Sequence, residues 1–296
     1  PKADVNKIVK QFVRTSGKSK IDLDKLRPGH VLVETVNYLL TKVVPVKDVS
    51  WNVVYDYVWD RLRAIRQDMV IQNIQGNTKI TILESCVLFH LYSSYVLCEE
   101  ELRLFDPTLN AQQLKECLEV LIGQFDETVL LTTKRRHIFE SIFLLYNLDS
   151  SKALQRFGCL PRDIQNNNLV KKSYAICIWY ANCNYYRILQ EFGKLPTVMK
   201  LALNRHINHI HFEYLRRMCV AYHSMNCRIA ITTLAGWLCP FESPELALKV
   251  LRQLCRDYGV KIVAAVAVQF DKNSFNKIEK TEVLILLTNV VDMSIK

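Results

Sequence analysis

At 296 residues and 50% apolar content, the chain can bury a full core as one large domain or two. Its 8 Gly and 8 Pro are fewer than an α/β enzyme of this length spends on tight turns and ligand loops, which argues against that class. The net charge of +10 suits an anionic partner, and the apolar runs 262–268 and 283–287 fall far short of a bilayer span, so no membrane role is expected.

The charge is unevenly spread. Residues 1–27 carry 8 basic and 3 acidic groups and residues 200–296 carry 13 and 8, so each end is +5; the middle, 28–199, has 18 of each. Inside that neutral middle, residues 84–127 hold 9 acids against Arg103 and Lys115, a local −7 that suits a basic partner or a solvated helix face. Ten cysteines occur without a CxxC pair, and Cys86, Cys98, Cys117, Cys177, Cys219 and Cys255 fall within helical apolar patterns. They are expected to be buried free thiols, which places the chain in a reducing compartment, cytosol or nucleus.

Residues 1–27 read as a basic arm, with Lys2, Lys7, Lys10, Arg14, Lys18 and Lys20 around a Ser-Gly-Lys-Ser break, extended or partly disordered until bound. The opening is basic and lacks an apolar core, so no signal peptide is expected. From Pro28 to residue 225 the period is helical. A first stripe of Leu32, Val36, Leu39 and Leu40 ends near Pro45. Trp51, Val54, Tyr55, Val58, Leu62, Ile65 and Met69 then predict a helix over 51–75, with Ser50 as its N-cap and Gly76 as its stop. Further helices are expected over 78–104, 110–123, 134–148, 151–157, 168–181, 183–193 and 197–224. The stretch 83–98 is apolar on most sides and reads as a buried helix. Helix after helix joined by short turns is the pattern of an α-solenoid.

After residue 225 the pattern changes. A short helix near 228–238 precedes the cap Ser243-Pro244-Glu245 and a second helix ending at Gly259. A β-branched run over 261–270, the turn Asp271-Lys272-Asn273-Ser274 and a polar stretch leading to 283–291 follow. Two short helices and a β-hairpin are the outline of a winged helix over 226–296.

Catalytic motifs are missing. Ser16-Gly17-Lys18-Ser19 echoes the end of a P-loop, but Phe12 stands where the first glycine is required. His206, His209 and His211 suggest zinc, yet His211 lies off the face the other two share, and no second ligand pair follows. No GxSxG, HExxH or GxGxxG occurs. No catalytic residue, metal or cofactor is therefore expected, and the chain reads as a non-enzymatic scaffold.

The run 55–68, Tyr-Asp-Tyr-Val-Trp-Asp-Arg-Leu-Arg-Ala-Ile-Arg-Gln-Asp, is the most distinctive in the chain. Together with Leu26-Arg27-Pro28, the Thr35 to Leu40 segment, Phe89-His90, Cys98-Glu99-Glu100, the Phe139 to Asn147 segment and Tyr214-Leu215-Arg216, it resembles the SAC-three/GANP family of mRNA-export proteins. The resemblance covers the whole chain, and the compact length is similar to that of short, SAC-three-domain-containing members. It implies TPR-like helical repeats capped by a winged helix, the PCI-type architecture. It also implies a PCI-domain partner subunit, a small acidic Dss/Sem-type subunit, and a joint RNA surface made by two adjacent winged helices. Cooperation with a DEAD-box RNA helicase, and a nuclear, cytoplasmic or centrosomal location, follow from the same resemblance. The cysteine-proline element of many members and the nucleoporin-like and centrin-binding regions of the long ones are not in this sequence, so those contacts are not implied.

The signature residues Trp59, Asp60, Arg61, Arg63, Arg66 and Asp68 are expected to be structural. Arg61 and Arg66 flank the apolar stripe and would brace neighbouring helices, and an Asp60–Arg63 pair at i,i+3 would add about 0.2–0.5 kcal/mol. The nucleic-acid candidates lie in the winged helix. Lys249, Arg252 and Arg256 fall on one face of its second helix, opposite Leu246, Val250 and Leu254, with Lys261, Lys272, Lys277 and Lys280 on or beside the wing. Few aromatics accompany them, so phosphate contact without sequence preference is expected. The alternative is a protein-interaction module acting at the centrosome or mitotic spindle without nucleic acid.

Overall fold

The computed structural model describes residues 9–14, 23–127 and 135–275, and these are mainly helical, with twelve α-helices and three short β-strands. They divide into two compact units, one up to Arg136 and one from His137 onward.

In the first unit, α1 (Gly29–Tyr38) continues into a wider π-type turn, Leu39–Val43, closed by the Val44 N–H on the Leu39 carbonyl at 2.9 Å. Next come α2 (Trp51–Ile71), α3 (Asn77–Val96) and α4 (Pro107–Glu127). Helix α3 packs against the other three and buries residues on nearly every side, from Ile80 and Ile82 to Phe89, Leu91 and Tyr95, as its all-round apolar sequence requires. Several boundaries differ from expectation: α4 is longer at both ends than the expected 110–123, and two others shift the course of the chain. α2 ends at Ile71, and Gly76, at φ +70°, serves as the N-cap of α3 instead of the stop of α2. α3 stops at Val96 rather than 104, because the chain turns so that Phe105 can bury against Tyr55.

The core of this unit contains one polar network. Asn110 of α4 accepts from His90 Nδ1 at 2.8 Å and from the Tyr55 hydroxyl at 3.2 Å, and its own amide donates to the His90 carbonyl at 3.0 Å. Each of three helices contributes a group, so the network fixes their mutual register, although His90 Nε2 has no partner among the described residues.

The second unit begins with α5 (Arg136–Tyr146), α6 (Ser151–Cys159), the single-turn α7 (Arg162–Gln165), α8 (Asn168–Ala181), α9 (Tyr185–Phe192) and α10 (Thr197–Ala221). Glu140 of α5 is fully buried and is neutralised by Arg156 of α6, whose Nε lies 2.8 Å from its carboxylate. The histidines of α10 serve packing. His206 Nε2 reaches the Tyr146 carbonyl at 3.1 Å and His211 Nε2 reaches the Leu238 carbonyl at 3.0 Å, so two imidazoles each bind the last turn of a neighbouring helix, while His209 is exposed.

The unit ends with β1 (Ile229–Ala230), α11 (Ile231–Leu238), α12 (Pro244–Asp257), β2 (Lys261–Val263) and β3 (Ala267–Gln269), the strands forming an antiparallel sheet in the order β1-β3-β2. The hairpin therefore closes inside the run 261–270, not after it. Ala264 and Ala265 make the turn at φ +50° and +59°, both left-handed, in the manner of a type I′ turn. Neither is the Gly or Asn that such a turn normally advertises. The expected turn at Asp271 does form, but it follows the hairpin. The expected stretch 283–291 lies outside the described residues. α9 meets the α11–α12 connection closely: a Cβ at Gly193 would come within 2.5 Å of the Phe241 Cβ, so only glycine fits there.

Burial holds His90, His206 and His211 at pKa values of about 4. An unfolded imidazole titrates near 6.5, so acid drives proton uptake by the unfolded chain. Their contribution is complete above about pH 6.5, is lost as pH falls towards about 4, and levels off below that. Urea midpoints measured from neutral pH down to about 4 should fall across this window, and His206→Gln should make the fall shallower. An unchanged profile would show that these histidines are not buried neutral.

Candidate nucleic-acid interface

The basic row predicted from sequence sits on α12. The helix starts because Ser243 Oγ accepts the Leu246 N–H at 3.4 Å and Pro244 occupies the first turn. It stops at Gly259, φ +69°, with the Val260 N–H on the Cys255 carbonyl at 2.8 Å. Ala247, Val250, Leu251, Leu254 and Cys255 are buried, and α12 packs on α11. Amphipathicity then leaves Arg252 and Arg256 exposed on the other side with Lys249 on the same row, the ends of the row about 10 Å apart along the axis.

The hairpin adds to this row. Lys261 is exposed at the first position of β2 and pairs opposite Gln269, three residues before the exposed Lys272. Both lysines thus lie at the end of the hairpin that joins the C-terminus of α12. Arg228, exposed just before β1, is a further cation that the sequence did not single out. Lys277 and Lys280 lie outside the described residues. Among the described residues Lys249, Arg252 and Lys261 make no ion pair, and Arg256 bonds only to the Gln253 side chain. Their charge is therefore available to solvent or a ligand. Glu245 occupies the first turn of α12, so anions are disfavoured there and the middle and C-terminal half carry the positive potential.

The division at residue 136 sharpens the charge map. Residues 28–136 carry 11 basic and 14 acidic groups, −3, whereas residues 137–275 carry 17 and 9, +8. The middle that looks neutral in sequence sums an acidic segment, 28–136, with the first helices of a basic one.

The signature run lies on α2, and most of its charged side chains, Asp56 apart, are engaged within the fold. Trp59 is half-buried beneath the Arg63 guanidinium, 4.6 Å from its ring centre, and Arg63 also stacks on Phe12 at 3.9 Å. Asp60 accepts from Arg61 at 2.8 Å and from the Phe12 N–H at 3.2 Å, so Arg61, and not Arg63, is its salt-bridge partner. Arg66 reaches α4, donating to the Gln113 side-chain carbonyl and to Cys117 Sγ at 3.1 Å. Asp68, 1% exposed, binds Lys10 Nζ at 2.6 Å and Arg27 Nε at 2.8 Å. Gln67 donates to the Val13 carbonyl at 3.0 Å.

Residues 9–14 of the basic arm are thus extended and fastened along α2 by side chains of the signature. Sequence reasoning missed Lys10 and Arg27 as partners because they lie 58 and 41 residues from Asp68. One signal was readable: Asp68 follows Ala64 by four on the buried side of α2, and a carboxylate there needs a cation. Asp68→Ala strands Lys10 and Arg27 and should cost about 3–5 kcal/mol in urea unfolding. It should also open the chain to trypsin at Lys10 and Arg14, and unchanged cleavage would mean that this tie does not hold the segment.

With this geometry in place, comparison with known proteins gives one consistent group. The SAC3/GANP family profile matches residues 1–264. SAC3 family protein B of Arabidopsis thaliana is 29% identical over 252 residues, covering 78% of this chain and 14% of that protein. Protein xmas of Drosophila melanogaster is 24% identical over 229 residues, 73% of this chain and 11% of that protein. A THP3 homolog of Schizosaccharomyces pombe is 20% identical over 277 residues, 93% of this chain and 63% of that protein. The chain spans a small fraction of the length of the first two relatives.

Proposed function

Because this chain belongs to the SAC3/GANP family, we propose that it is a non-enzymatic scaffold subunit of an mRNA-export complex, binding RNA without sequence preference through the outer face of α12 and the adjoining hairpin. The observation that carries the RNA part is the row Lys249, Arg252 and Arg256, on the outer face and free of carboxylate partners among the described residues, within residues 137–275, whose net charge is +8. Long, hydrated cations on a helix supply phosphate contacts and release counterions, and they do not read bases. The order helix, helix, antiparallel hairpin in the described part of 226–296 supports reading that segment as a winged helix, and the helices before it support a PCI-type repeat body.

In this reading a PCI-domain subunit sets its own winged helix beside α12, a small acidic Dss/Sem-type subunit braces the pair, and a DEAD-box helicase delivers or receives the RNA. Neutralising charge on one subunit alone would then weaken RNA binding without abolishing it. The complex would act in the nucleus and cytoplasm. A second reading, a protein-interaction module at the centrosome or spindle, is favoured by the acidic unit 28–136, which suits basic protein segments better than nucleic acid.

The combined substitutions Lys249→Glu, Arg252→Glu and Arg256→Glu should weaken binding to an unstructured RNA while leaving circular dichroism and thermal unfolding unchanged, since none of the three side chains is part of the core. The log–log salt slope should flatten by about one unit for every phosphate that the variant no longer touches. A folded triple variant that binds RNA with unchanged affinity and slope would overturn the assignment.

A further inference from the structure

In the first unit, a cleft of about 190 Å³ opens between α2 and the turn leading into α4, lined by Tyr55, Asp56, Trp59, Leu102, Phe105 and Leu109 among others. The turn is closed by its own bonds: the Glu101 carbonyl accepts the N–H of Leu104 at 2.8 Å and of Phe105 at 3.0 Å. Phe105 is 3% exposed and meets the Tyr55 ring edge-on at 5.0 Å. Holding Phe105 inward keeps its neighbours outward, with Leu102 72%, Leu104 39% and Leu109 39% exposed. Single exposed leucines are ordinary, but three around one cleft form a patch that a partner can cover.

Size and charge define that partner. Small-molecule sites run to about 300–1,000 Å³, so this cleft holds one or two side chains of a longer chain. Its rim is acidic. Asp106 is used as the α4 cap, accepting from Thr108 and Leu109 N–H at 2.9 and 3.0 Å. Asp56 is exposed and has no ion pair or hydrogen bond among the described residues, so its carboxylate is open to a cation. Glu99, Glu100 and Glu101 are exposed on the same turn; the exposed lining cation Arg103 pairs with Glu101 at 2.5 Å, and the two offset each other, which leaves Glu99, Glu100 and Asp56 as the surplus acids. The Trp59 indole N–H, at the cleft, also lacks an acceptor among the described residues. Carboxylates so placed repel phosphate, which disfavours both RNA and an anionic membrane.

We propose that this cleft docks a segment of a partner protein in which one or two large apolar side chains are flanked by Lys or Arg, the apolar groups entering between Leu102, Leu104 and Leu109 and a cation pairing with Asp56. This docking is separate from the α12 surface and does not depend on RNA binding. Apolar anchors supply affinity, and the acidic rim supplies orientation and selection against acidic sequences.

The test is selection from a random short-peptide library on the full chain, followed by affinity measurement on the chain and on two variants, Leu102→Ser and Asp56→Lys. Both positions are exposed, and circular dichroism checks that each variant folds. The peptides recovered should share an apolar residue next to Lys or Arg. Their affinity should fall on the order of tenfold in each variant, and added salt should weaken them on the wild-type chain. An Asp56→Lys chain should instead favour peptides carrying Asp or Glu at that flank. Recovery of no peptide, of acidic peptides, or of basic ones that bind both variants as well as the wild type would overturn the proposal, whatever the outcome of the RNA experiment.

Discussion

A carboxylate almost out of contact with water cannot stand without cations, and Asp68 is 1% exposed. The positions of Lys10 and Arg27 follow from that constraint, and with them the course of residues 9–14 along α2 and the approach to α1. The neighbouring residues of the signature extend the arrangement. Asp60 holds the Phe12 amide, Arg63 stacks on the Phe12 ring, and Arg66 crosses to α4. One helix therefore collects the arm on one side and the next hairpin of helices on another. The density of charged residues in this run is explained by internal bonds, which leaves few of them for an RNA.

Function then divides by charge. The unit up to residue 136, its arm apart, is acidic, and its polar side chains are largely spent on its own packing; the unit after it carries a surplus of cations, and the row on α12 is unspent. In the role proposed above, this division of charge lets each surface repel the other's ligand. Amphipathic helices keep the polar side chains of both units pointing outward while their apolar faces pack inside.

Most helices are legible in the sequence because a 3.6-residue period shows itself over ten or more residues, as in α2, α8 and α10. α3 is legible for a different reason, being apolar on all sides. The hairpin is not, because Ala264 and Ala265 adopt left-handed conformations that sequence assigns to Gly or Asn, so the polar Asp271 turn looks like the better corner. Gly76 looks like the end of one helix when it begins the next, an ambiguity inherent in a glycine between two helical segments. The basic row on α12 is visible, since charge and apolar positions alternate with the helix period. The ties of Asp68, the hydrogen bonds of His206 and His211 and the cleft beside Tyr55 are not, because each joins residues distant in sequence. Phe105 shows the difference: in sequence it belongs to a polar break, and only its burial against Tyr55 explains why Leu102 and Leu104 face solvent.

RNA binding by the basic unit is tested most directly by crosslinking the full chain to an unstructured RNA containing 4-thiouridine and mapping the attached peptides by mass spectrometry. The crosslinks should fall on α12 and on the β2–β3 hairpin, including the neighbourhood of Lys261 and Lys272, and should be absent from residues 84–127. Crosslinks concentrated in the acidic unit, or spread evenly over the chain, would contradict it.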